Sequence, residues 1–116
     1  MQPENDQKPR PELFDISSLD TYVLLNLFVS ILATKTWQHL GLRTVSGSDT
    51  VKRDLVQARI SIDCISFLSN QLKNKMSMED FKRQQNLLTD LQMNFARIAS
   101  ESLRDKDSKT ESNDKL

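Results

Sequence analysis

The sequence predicts an all-α protein of three long helices. Three observations carry this. The 116-residue chain holds two glycines and three prolines, and every proline lies before residue 12, so the rest of the chain is nearly free of helix breakers. Two stretches, 51–72 and 81–98, place apolar residues at steps of three and four, the period of a helix face. A third, Tyr22 to Ala33, reads YVLLNLFVSILA and is apolar at ten of twelve positions.

Residues 1–13 carry Pro3, Pro9 and Pro11 among charges and hold little that could be buried, which predicts a disordered tail. The helical domain is placed at 14–103, with order beginning near Leu13, Phe14 and Ile16. Ser17 or Ser18 is positioned to cap the first N–H groups of helix 1, placed at 18–40. Gly41 ends it, because glycine tolerates a left-handed stop. His39 sits in the last turn, where positive charge suits the helix dipole. A helix turns about 100° per residue. With Asn26 at zero, Leu27, Ile31 and Leu24 fall near ~100–160°, Phe28 and Leu32 near ~200–240°, and Leu25 and Val29 near ~260–300°. Only the sector of Asn26, Ser30 and Thr34 is less oily. A helix that is apolar nearly all round must be surrounded. The run is too short for the roughly 20 apolar residues of a membrane span. It is closed by Asp20 and Thr21 on one side and by Thr34, Lys35 and Thr36 on the other.

Residues 41–49 read as a loop, and Asp49 or Thr50 as the cap of helix 2, placed at 50–73. Its seam is Val51, Leu55, Ala58, Ile62, Ile65, Ser69 and Leu72, which follows the heptad rule. Val56, Ile60 and Phe67 add apolar area beside the seam, and Lys52, Arg53, Gln57 and Asn70 form a polar back. A short connection at Asn74 to Met76 leads to Ser77, the cap of helix 3, placed at 78–103 with Glu79 and Asp80 in its first turn. The face of helix 3 is Phe81, Leu88, Leu91, Phe95 and Ile98. Met76 is expected to plug the hairpin end and Met78 to pack inside. Residues 104–116 mix charges without an apolar period and read as a second disordered tail.

The short connection makes helices 2 and 3 an antiparallel hairpin, on which helix 1 packs. Two helices with narrow apolar faces cover only part of a third that is apolar all round. A second subunit, a homodimer, completes the cover, with Leu24, Phe28, Ile31, Leu32 and Trp37 as the interface. Trp37 has a competing role as a partly buried core residue. The alternative is a bundle that binds a small apolar ligand or lipid near Asn26, Ser30 and Thr34, against which stands the habit of Ser and Thr to bond back to their own helix.

Sixteen basic and sixteen acidic residues balance, so the chain lacks the basic excess of a protein that grips nucleic acid by charge. The most basic patch, Lys73, Lys75, Lys82 and Arg83, is offset by Glu79 and Asp80 and has no interleaved aromatics. Cys64 is the one cysteine and His39 the one histidine, too few for a metal site. Cys64 in an apolar neighbourhood reads as a small hydrophobe, and Asp63 as an ion-pair partner of Arg59 four residues earlier. Gly41 and Gly47 fit no phosphate-loop spacing. No catalytic residue and no cofactor is assigned, and the expectation is a non-enzymatic protein that self-associates or binds a partner protein. The first twelve residues show no apolar signal region, so a cytoplasmic location is expected.

Residues 28–98 resemble a bacterial family, domain of unknown function 1844. The likeness rests on three places. The first helix runs Ser30-Ile31-Leu32 through His39-Leu40-Gly41. The second carries Ala58-Arg59, Ile62-Asp63 and Leu68. The third opens with Ser77 followed by Glu79 and Asp80. Members of the family carry a Lys-Thr, Gly-Asn element before that cap. Here the stretch is Leu72-Lys73-Asn74-Lys75, with Asn74 able to stand in for glycine in a left-handed turn. The resemblance implies a small helical bacterial protein and no particular activity.

Overall fold

The computed structural model describes residues 15–43 and 52–114, and side chains as far as residue 105. The expected N-terminal tail at 1–13, the cap at Asp49 or Thr50, and Val51 of the seam lie outside the described residues. A single 3-10 turn, Ile16–Ser18, leads into three helices: α1 (Thr21–His39), α2 (Leu55–Leu72) and α3 (Met78–Asp114). Successive helices run antiparallel, so α1 and α3 are parallel to each other.

The starts of the helices differ from expectation in instructive ways. Ser17 and Ser18 do not cap α1. The Ser17 hydroxyl donates to the Asp15 carboxylate at 2.6 Å and the Ser18 hydroxyl to the Asp15 carbonyl at 2.8 Å. Both are spent on the turn that precedes the helix. Asp20 occupies the cap position, and its side chain makes no capping bond. α2 begins at Leu55, later than expected, because Asp54 caps it. The Asp54 carboxylate accepts from the Gln57 N–H at 3.1 Å and from the Gln57 side-chain amide at 2.7 Å. Ser77 caps α3 as expected, accepting from the Asp80 N–H at 3.0 Å.

The ends are equally local in cause. Gly41 adopts φ of 79°, which a Cβ would disfavour. Its N–H donates to Gln38 at 3.0 Å, and the Leu42 N–H donates to Trp37 at 2.9 Å. That pair of bonds closes α1 in a Schellman stop. The Asp54 N–H then reaches the His39 carbonyl at 2.8 Å and ties the start of α2 to the end of α1. At the other hairpin no described residue except Gly41 has positive φ, so Asn74 does not act as a left-handed stand-in. α3 continues to Asp114, beyond the expected end at 103.

The seam of α2 is the centre of the molecule. Ala58, Ile62, Ile65, Ser69 and Leu72 are all buried, and Leu55 is half-buried. On α3, Leu88, Leu91 and Ile98 are buried, with Phe81 and Phe95 half-buried. One core cluster joins Val29 and Ala33 of α1 to Ile62, Ile65, Leu72, Leu88 and Leu91. A second joins Leu40, Ala58 and Ile98. Trp37 and Phe95 pack against both. Two polar side chains survive full burial because they are bonded. Thr36 donates to the Leu32 carbonyl at 2.7 Å, and Ser69 accepts from Gln85 at 2.8 Å.

α1 packs mainly along α2 and touches α3 only slightly. It therefore lies on α2 more than on the α2–α3 hairpin as a whole. Small side chains explain the preference. Ala33 of α1 and Ala58 and Ser61 of α2 are buried, and small residues let two helix axes approach closely. Two polar contacts bind α1 to the far hairpin. Gln84 donates to the Asn26 side chain at 2.9 Å, and the Lys75 ammonium lies 5.1 Å above the Tyr22 ring. Met76 packs on the core as expected, whereas Met78 is 86% exposed, because the first turn of α3 turns that position outward.

Candidate functional site

Among the described residues, α1 is buried on one side only. Val29, Ala33, Thr36 and Leu40 are the fully covered positions. They cluster within about 60° of arc on a helical projection. Leu24, Leu27 and Ile31 fall roughly 150–170° from their centre, and Phe28 about 110° from it. Phe28 is 41% and Ile31 51% exposed, and Leu24 and Leu27 are half-buried. The all-round apolar character read from the sequence is real, but the described residues cover only half of it.

α2 also carries uncovered apolar residues, of which Phe67 borders the same surface. Val56, Ile60 and Phe67 share the side of α2 opposite its seam, and all three are exposed, Phe67 by 64%. Expected beside the seam, they instead back it. Between α1 and α2 runs an open apolar groove of about 620 Å³. Phe28, Ile31 and Leu32 form one wall, and Cys64, Phe67 and Leu68 the other. Asp63 is the one charged residue on its lining, and no residue of α3 reaches it. Exposed apolar groups scattered singly are normal, but a contiguous patch crossing two helices is how a contact surface looks.

The structure thus sorts the expected interface residues. Phe28, Ile31 and Leu32 line the groove, and Leu24 continues their stripe toward the start of α1. Trp37 does not join them. It is half-buried against both core clusters. The α2 wall of Cys64, Phe67 and Leu68 is not among the expected interface residues, although the sequence reads Phe67 as apolar area beside the seam. The signal of Phe67 was its place one half-turn from the heptad seam.

The polar sector of α1 lies on a different flank. The Ser30 hydroxyl donates to the Asn26 carbonyl at 3.4 Å and the Thr34 hydroxyl to the Ser30 carbonyl at 3.3 Å. Asn26 accepts from Gln84. A cleft of about 290 Å³ runs along Asn26, Ser30 and Gln84, but Thr34 is not on it and its hydroxyls already have partners. The Gln84 side-chain oxygen is buried without a hydrogen-bond partner.

The titratable groups do not converge. His39 lies at the α1–α2 junction beside Lys35, Lys52, Arg53 and Asp54. Cys64 stands ten residues further along α2 than Asp54, roughly 15 Å away. The Asp54 carboxyl is held below its ordinary range, chiefly by the Gln57 N–H, then by the Gln57 side chain. Among the described residues no three His, Cys, Asp or Glu side chains gather as a metal would require. The expected Arg59–Asp63 ion pair is not formed. Both side chains are exposed, and a surface i,i+4 pair gains only about 0.3–0.5 kcal/mol. Arg83 instead pairs with Glu79 at 3.6 Å and Asp80 at 3.1 Å, which neutralises part of the basic patch. No helix among the described residues is long and apolar enough to cross a membrane.

Comparison with curated proteins finds no match, and comparison with solved structures finds none. A family model does match. It is that of the domain of unknown function DUF1844, and it spans residues 22–97, from the first turn of α1 to the residue before Ile98 in α3. The match takes in all three helices and both walls of the groove, and the chain belongs to the DUF1844 family.

Proposed function

We propose that the protein is a non-enzymatic contact module of the cytoplasm, and that it works by burying the outer face of α1 and α2 against another protein surface. The observation that supports this reading most is the groove of Phe28, Ile31, Leu32, Cys64, Phe67 and Leu68, left open by the described residues. Burying one large apolar side chain contributes roughly 1.5–3 kcal/mol, and several lie here side by side. A catalyst would bring a nucleophile, a base and an orienting group to one place. Here His39 and Cys64 stand apart.

A small apolar ligand is the second reading, because the groove has the volume of a ligand site. Ligand sites also carry a few converging polar groups. This groove offers Asp63 alone, and the Asn26, Ser30 and Thr34 sector is already bonded within the chain. A native mass spectrum of the purified full chain separates the two. An assembly of more than one polypeptide, lost on Phe28→Asp, supports the contact module. A single chain carrying a lipid or metabolite supports the ligand, and a single bare chain contradicts self-association and the ligand reading alike.

A further inference from the structure

We propose that the surface seated on this face is a second copy of the same chain, with the two α1 helices packed antiparallel across a two-fold axis beside Leu27 and Phe28. The inference rests on the contact-module reading and adds its partner and register. It comes from the order of residues along the uncovered stripe: Asp20, Leu24, Leu27, Phe28, Ile31 and Lys35. On a helical projection these six positions lie within about 100° of one another.

The stripe is matched to its own reverse. Turned end for end about the point between Leu27 and Phe28, Leu24 meets Ile31 and Asp20 comes opposite Lys35, while Leu27 and Phe28, on the two edges of the stripe, each meet their own copy beside the axis. An isologous interface requires this self-complementarity, because each residue must suit the residue it meets on the other copy. A parallel pairing would set Asp20 against Asp20 and Lys35 against Lys35, which is repulsive.

The two charges are free for the task. Asp20 is exposed and its carboxylate caps nothing, since the preceding turn is built from Asp15, Ser17 and Ser18. Lys35 is exposed, and its ammonium reaches only the Gln38 side chain, at 3.4 Å. Neither forms an ion pair among the described residues. Phe67 lines the opposite wall of the same groove as Phe28 and so belongs to the surface the second copy covers. Two copies then bring two Phe28 rings to the middle of the contact, where apolar anchors contribute most. The charges fall at the two ends of the stripe, where they set register.

The test measures dimer dissociation by sedimentation equilibrium of the full chain at low salt. The wild type dimerises. Asp20→Lys and Lys35→Asp each weaken the dimer by roughly tenfold, because each turns two attractive contacts into two repulsive ones. The double exchange, Asp20→Lys with Lys35→Asp, restores most of the affinity. Both single changes oppose the α1 dipole and the double change carries both penalties, so restoration cannot come from helix stability. Circular dichroism confirms that each variant is folded. A wild-type chain that stays monomeric overturns the second copy as occupant, and a lipid or metabolite held on that monomer in the mass spectrum above overturns the contact-module reading as well. A dimer that Phe28→Asp dissociates but that ignores the charge exchanges overturns the antiparallel register and leaves the contact-module reading standing.

Discussion

Asp54 accepts two hydrogen bonds from Gln57 and so decides where α2 begins. The same bonds hold its carboxyl below its ordinary pKa, with the nearby His39 ring acting in the same direction. A lowered folded pKa means the cap stabilises fully above the ordinary carboxylate range and is lost as pH falls through the lowered value. Asp54→Asn keeps a capping side chain without the charge. The wild type should therefore melt above Asp54→Asn near about pH 7, and the gap should close toward about pH 3. Thermal melts of both proteins across that range check this. A gap that does not change with pH would show that the charge contributes nothing. The sequence reading places this cap at Asp49 or Thr50 and passes over Asp54, although an aspartate followed three residues later by glutamine is a helix-start signal. Asp49 and Thr50 lack it, having Lys52 and Arg53 at that spacing. Gln84 was harder to read. It stands between Phe81 and Leu88 on an apolar face, and only the approach of Asn26 gives its amide a partner.

α2 is the element whose periodicity told most. Its three- and four-residue spacing named five residues that are buried in the structure, and Ile65 is fully so. Ile65 belongs to the main core cluster, with α1 residues on one side and α3 residues on the other. Ile65→Ala should cost about 2–5 kcal/mol of unfolding free energy, since the cavity forms where two neighbouring helices cannot both collapse. Chemical denaturation of the two proteins measures the difference, and a loss below about 1 kcal/mol would deny α2 its central place. α1 was less legible. Periodicity says which residues share a face, not which faces the chain goes on to cover. The reading that α1 must be surrounded followed from its composition. The structure surrounds half of it, because α3 spends its apolar face on α2 and reaches α1 mainly through Gln84. The extension of α3 past 103 escaped notice for a related reason: a charged stretch without apolar period gives no face to detect, yet a good helix can propagate through it.

At the scale of the molecule, three helices make a core along α2 and leave a second apolar surface on its back. The family match runs through every part of that arrangement and says nothing of what it does. The account holds that this second surface is covered in the working protein. Cys64 reports on it directly, since it is the chain's single cysteine, is exposed in the free subunit and forms part of the groove wall. The measurement is its rate of alkylation by iodoacetamide as the purified protein is concentrated from nanomolar to high micromolar. The account predicts fast alkylation when dilute, marked protection when concentrated, and no protection at any concentration in Phe28→Asp. Alkylation of the wild type at one fast rate throughout would contradict it.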